Sequence, residues 1–149
     1  MTQTGTMLLG IDGGGTSCRA AAVVRGQRHE VTLGPANVTT GFDADVATID
    51  TALRMLAGRA GLPPEVLFQA PAHLGLAGVV SAALAARVRD ALPLSRATVT
   101  DDRPTTIAGA LGPAEGAVVA IGTGSVLGRQ AGGRTRGTGG WGFFVGDQA

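Results

Sequence analysis

A chain of 149 residues with twelve basic and eleven acidic side chains carries a formal net charge of +1, with 44% hydrophobic and 3% aromatic residues. That is enough for one ordinary soluble domain with its own core. Every basic residue is an arginine, placed singly and with few aromatics for base stacking, so no nucleic-acid partner is expected. No stretch approaches a membrane span, and the start MTQTGTM lacks the layout of a signal peptide, so no membrane partner is expected and the expected location is cytoplasmic. Cys18 is the single cysteine, which excludes an internal disulfide or a CxxC metal site and suits a packed strand residue. His29 and His73 are isolated and form no ligand set.

Residues 8–23 read LLGIDGGGTSCRAAAV. Strands at 7–12 and 18–24 flank a glycine turn, and a third strand near 29–33 folds back through Arg25-Gly26-Gln27. Gly13, Gly14 and Gly15 permit close approaches that a Cβ forbids, and their N–H groups form an anion nest. Thr16 and Ser17 add hydroxyl donors, and Asp12 at the strand end can orient a hydrated Mg²⁺. After the break Gly34-Pro35-Ala36-Asn37, apolar positions at Val46, Ile49, Leu53 and Leu56 predict a helix over 43–60. HLGLAGV at 73–79 predicts a buried strand entering a glycine turn, 81–92 a helix, 97–100 a strand ending on Asp101 and Asp102, and 105–111 a third helix before Gly112-Pro113.

The grammar of the first hairpin returns at 117–129, AVVAIGTGSVLGR, where Gly122, Thr123, Gly124 and Ser125 interrupt two apolar runs. Glycine-rich hairpin turns are common as plain structure. Two of them with acids between point instead to a nucleotide held between related lobes. A dinucleotide fingerprint fails at both places, because Cys18 and Leu127 stand where its third glycine belongs and strands follow in place of helices. A Walker loop fails for want of any lysine. The order βββαβαβα followed by a new hairpin departs from a doubly wound sheet of βαβ units alone.

The succession LLGIDGGGTSCRA, GPANV, HLGLAG, TDD, AIGTGS and GGWGFFVGDQA resembles the actin-like ATPase superfamily, within it the BadF/BadG/BcrA/BcrD-type ATPases and, closest, bacterial glucosamine kinase and N-acetylglucosamine kinase. The resemblance implies an α/β, ribonuclease H-like lobe with a mixed sheet of order βββαβαβα over 1–112, then the opening β-hairpin of a second similar lobe over 113–149. It implies ATP and Mg²⁺ as cofactors, an amino sugar as substrate, transfer to the 6-hydroxyl of glucosamine, and a homodimer in the full-length protein. Asp12 then resembles the metal-orienting acid, Gly13 to Thr16 the first phosphate loop and Gly122 to Ser125 the second. Asp102 resembles the proton acceptor, standing seven residues before Gly109, with Asp101 its rival; either acid could instead cap the following helix. Sugar contacts fall on Asn37, on Ala77 and Gly78, on Asp102, on Gly140 and on Asp147, while Asn37 could equally close an Asx turn. Trp141 reads as a packing anchor or a sugar-stacking ring. Val38 and Thr39 stand where animal N-acetylglucosamine kinases have histidine and tryptophan, and Gln148 where the usual acid follows Asp147, so the pocket for the 2-substituent should differ. The family's adenosine-binding motif is absent from these residues, so the 149-residue chain alone is expected to be inactive. The competing readings are N-acetylglucosamine kinase, an ATPase activator of a reductase or dehydratase, whose iron–sulfur cluster needs more cysteines than Cys18 alone, and a non-catalytic sugar-binding fragment.

Overall fold

The structure is a computed structural model that describes residues 6–39, 41–121 and 125–139. It forms two compact units, Met1–Asp102 and Arg103–Ala149.

In the first unit the chain runs β1 (Leu8–Gly13), β2 (Cys18–Val24), β3 (Gln27–Leu33), α1 (Phe42–Arg59), α2 (Pro64–Leu67), β4 (Ala72–Leu76), α3 (Ala82–Ala91) and β5 (Ala97–Thr100). The five strands lie in the order β3-β2-β1-β4-β5. β1 to β3 form an antiparallel meander, while β4 pairs in parallel with both β1 and β5. Period-two alternation divides the two faces of this sheet. Leu9, Ile11, Cys18, Ala20, Ala22, Val31, Leu74 and Leu76 are buried in one core with Ile49, Leu53 and Leu56 of α1 and Val88 of α3. The opposite face carries Gly10, Asp12, Arg19, Glu30, His73, Gly75, Thr98 and Thr100, as the strand register dictates. Ser81 caps α3 by accepting the Leu84 amide at 3.2 Å.

The second unit comprises α4 (Arg103–Leu111), β6 (Gly116–Ile121), β7 (Ser125–Ala131) and β8 (Arg134–Gly139), with the three strands in an antiparallel meander. The sequence expectation placed α4 in the first lobe, ending at 112. By its contacts α4 groups with the strands that follow it, in the unit that begins at Arg103. Ile107, 1% exposed, occupies the groove left by the missing side chain of Gly128, and Gly137 extends that groove. The expected hairpin is also a three-stranded sheet: β8 reads RTRGTG, whose polar residues carry no apolar alternation to announce a strand.

Candidate functional site

Three strands of the first sheet, β1, β4 and β5, run parallel, and β3 shares their direction because it is antiparallel to β2 as β1 is. Their carboxyl ends therefore open onto one edge, where open α/β sheets place ligands. The segments leaving that edge are the glycine turn 14–17, the loop 34–39, the turn 77–80 and Asp101-Asp102. Candidate residues from four distant stretches of sequence are thus gathered by topology alone.

Backbone hydrogen bonds knit three of these segments together. The Ala77 N–H donates to the Gly13 carbonyl at 2.7 Å and the Ala36 N–H to the Gly14 carbonyl at 2.9 Å. The Gly14 N–H closes its own turn onto the Ser17 carbonyl at 2.9 Å, so it is spent on the hairpin and does not join the expected nest. Gly15 and Thr16 lie exposed at the mouth of the turn.

The three consecutive glycines prove to be of different kinds. A methyl on Gly13 would stand 2.6 Å from Leu76 Cδ2 and 3.0 Å from the Ala36 carbonyl oxygen, so the fold itself requires glycine there. A methyl on Gly14 would meet only the Ser17 carbonyl at 3.5 Å, and one on Gly15 would meet nothing within 4 Å. None of the three has a positive φ. Packing within the described residues therefore explains Gly13 and leaves open room over Gly14 and Gly15.

Asp12 is half-buried at the end of β1, on the polar face, paired with Arg19 on one side and Gly75 on the other. Its neighbour Cys18 is fully buried, and its thiol is pushed up to about 11 by burial first, then by the negative charges of Asp12 and Asp45. Cys18 is accordingly a packed, protonated thiol, as its place in a strand suggested. Asp45, in the first turn of α1, is 8% exposed, and its Oδ2 has no hydrogen-bond partner.

The Asn37 loop packs on the 77–80 turn. Asn37 Oδ1 accepts from the Thr39 N–H at 3.2 Å and the Thr39 hydroxyl at 2.5 Å, an Asx turn that points the rest of the amide. Gly78 has φ +86, and a Cβ there would lie 2.5 Å from Asn37 Oδ1 and overlap Thr39 Oγ1. Only glycine satisfies both the backbone angle and that approach. Thr39, noted in the sequence only as a departure, is thus the partner that orients Asn37 against Gly78; no local pattern links residue 39 to residue 78. Asp101 and Asp102 follow β5 directly, and Asp102 stands immediately before α4. Among the predicted residues, Gly122, Thr123, Gly124, Gly140, Trp141, Asp147 and Gln148 fall outside the described residues, and Ser125 is described only as the start of β7. No group of three or more metal-ligating side chains occurs among the described residues.

Residues 9–149 match the BadF/BadG/BcrA/BcrD ATPase family. The chain belongs to that family. It is 34% identical over 145 residues to the glucosamine kinase GspK of Vibrio cholerae, covering 94% of this chain and 49% of that protein. It is 28% identical over 148 residues to an N-acetylmuramic acid/N-acetylglucosamine kinase of Clostridium acetobutylicum, covering 95% and 48%. Among solved structures, the "Putative N-acetylglucosamine Kinase from Chromobacterium violaceum" superposes with a TM-score of 0.74 at 30% identity over 95% of this chain and 51% of that one. YeaZ from Pseudomonas aeruginosa shares the fold alone, with a TM-score of 0.52 at 15% identity over 89% and 64% of the two chains. The fold is therefore the mixed-sheet α/β lobe of the actin-like ATPases. The chain spans about half the length of the curated relatives it matches.

Proposed function

We propose that these residues form the first phosphate loop, the sugar loop and the proton acceptor of an ATP-dependent amino-sugar kinase, with glucosamine as the substrate and its 6-hydroxyl as the attacking group. The observation that carries this reading is the contrast among the glycines. Gly13 is fixed by the fold, whereas among the described residues a Cβ on Gly14 would meet only the Ser17 carbonyl at 3.5 Å and one on Gly15 nothing within 4 Å, at the sheet edge from which the segments of Asn37, Gly78 and Asp102 also leave. The curated kinase relatives support the substrate class.

The residues present fit the cofactors. A hydrated Mg²⁺ asks for one or two carboxylates plus phosphate oxygens, and Asp12 supplies one beside the open glycines. When bound, Mg·ATP supplies the transferable phosphoryl group and neutralises its developing charge. Gly14 and Gly15 would leave room for phosphate oxygens, the exposed Thr16 hydroxyl would donate to them, and Asp12 would hold the hydrated metal. Asn37, aimed by its Asx turn, and the backbone of Ala77 and Gly78 hold sugar hydroxyls; a buried hydroxyl left unpaired costs about 1–3 kcal/mol, so such fixed partners select the sugar. Asp102 accepts the proton of the attacking hydroxyl. Gly122 to Ser125 supply the second phosphate loop, and Gly140 and Asp147 further sugar contacts. The full protein acts in the cytoplasm as a homodimer.

The test is γ-phosphoryl transfer from ATP in a protein spanning the relatives' full length, with glucosamine and N-acetylglucosamine compared. Higher kcat/KM on glucosamine is expected. Preference for the N-acetylated sugar would reassign the substrate, and ATP hydrolysis indifferent to either sugar would remove the kinase reading.

A further inference from the structure

The ladder between β4 and β5 stops at the pair Gly75↔Thr100, one residue before Asp101 and two before Asp102. The proposed proton acceptor, which follows that pair, has to be held within a fraction of an ångström. At this position the Thr100 hydroxyl donates to the Asp101 carbonyl at 2.8 Å and lies 3.1 Å from His73 Nε2. A hydroxyl has one proton, and it is committed to the carbonyl. His73 must therefore donate from Nε2 into the remaining lone pair, so Nε2 carries a proton. The result is a directional chain, from His73 Nε2–H to Thr100 Oγ1–H to the Asp101 carbonyl.

We propose that Thr100, held by His73, is a positioning residue for Asp102. The carbonyl of Asp101 and the amide of Asp102 belong to one planar peptide unit, so fixing the direction of that oxygen fixes the bond that leads into the Asp102 Cα. The sheet also relates this anchor to the phosphate side of the site. Asp12, Gly75 and Thr100 stand in one row across β1, β4 and β5, on the same face. Two strand spacings separate Asp12 from Thr100, roughly 10 Å, with a glycine between them that puts no side chain in the way. His73 lies on that face as well, two residues before Gly75. The relay thus ties the acid after β5 to the same rigid row that carries the acid of β1. This role rests on the kinase reading only for its purpose; the geometry itself lies wholly within the first unit.

The experiment uses the 149-residue chain in solution NMR, so it does not depend on kinase activity. Long-range proton–nitrogen spectra are expected to show a proton on His73 Nε2. Thr100→Val, which keeps the shape and removes the hydroxyl, is expected to shift the Asp101 carbonyl carbon upfield and to change the N–H residual dipolar coupling of Asp102, with couplings in α1 unmoved. Thr100→Ser should restore both signals, which simple loss of packing would not predict. An Nε2-deprotonated His73, or a Thr100→Val chain whose Asp101 and Asp102 signals match the parent, overturns the relay. In the phosphoryl-transfer assay on the longer protein, Thr100→Val should lower kcat about tenfold with the sugar KM within about twofold, and Thr100→Ser should recover it. Unchanged kcat alongside shifted spectra would overturn the positioning role. If Asp102→Asn itself leaves transfer intact, Asp102 is not the proton acceptor and has no positioning partner in Thr100, whereas the absence of any sugar-dependent transfer in the parent would remove the kinase reading and leave the spectra alone to decide whether the relay exists.

Discussion

The two antiparallel meanders are built alike and covered differently. Strands of six, seven and seven residues in the first unit correspond to six, seven and six in the second, and each second hairpin turns on two residues with positive φ, Arg25-Gly26 and Gly132-Gly133. In the first meander the face of Leu9, Ile11, Ala20 and Ala22 is buried against α1. Aligned strand by strand, the matching face of the second holds Val119, Ile121, Leu127 and Arg129, and there Val119 is 63%, Ile121 74% and Leu127 49% exposed. Its covered face is the other one, where Ile107 of α4 sits over Gly128 and Gly137. The difference teaches that a glycine signature specifies the hairpin but not which side of the sheet receives a helix. The bare side also gathers Arg129, Arg134 and Arg136 around one shallow pocket, so its two halves are apolar and cationic.

Breaking the α4 seat should have the largest effect on stability. Gly128→Ala places a methyl inside the volume of a buried isoleucine and is expected to destabilise the second unit by about 3 kcal/mol, leaving the first unit's hydrogen-exchange protection unchanged. The matching position of the first meander already holds Ala21, so Ala21→Gly should cost less there. Next come the paired glycines of the first turn. Gly13→Ala should cost about 2 kcal/mol in chemical denaturation, whereas Gly14→Ala should stay within about 0.5 kcal/mol. Gly14→Val should keep the fold and abolish binding of an ATP analogue; equal destabilisation by Gly13→Ala and Gly14→Ala would erase the distinction between a glycine kept for packing and one kept for a ligand.

A third outcome concerns the buried thiol of the covered face. Cys18 titrates near 9 when unfolded and at about 11 in the fold, so its contribution to stability is complete below pH 9 and is lost as pH rises toward 11. The expected slope is about 1.4 kcal/mol per pH unit in that window, absent in Cys18→Ala. The smallest effect on stability belongs to the bare face. Val119→Thr with Leu127→Ser should change unfolding free energy by less than about 0.5 kcal/mol while reducing concentration-dependent self-association in sedimentation. Unchanged self-association would mean that this face is not what brings copies together.

Much of this was legible in the sequence because glycine turns and apolar periods are local signals. LLGIDGGGTSCRA announced both strands and their turn, and Ile49, Leu53 and Leu56 announced the buried face of α1. The polar strand β8 carried no such period, and the side on which α4 packs depends on a groove made by glycines more than twenty residues away. The glycine triplet looked uniform, yet Leu76 and Ala36 single out Gly13 through contacts that only the folded sheet creates. The Asn37–Thr39–Gly78 contact and the His73–Thr100 relay likewise join residues that no spacing rule connects.

The most direct test of the central claim is Asp102→Asn in a protein of the relatives' full length, with sugar phosphorylation and sugar affinity measured side by side and Asp101→Asn as the control. Loss of the proton acceptor should lower transfer to glucosamine by at least about 100-fold, with the sugar dissociation constant changed only a few-fold and Asp101→Asn close to the parent. Transfer that survives in Asp102→Asn, or that is lost in Asp101→Asn instead, would contradict the assignment of the acid at the end of β5 on which the account rests.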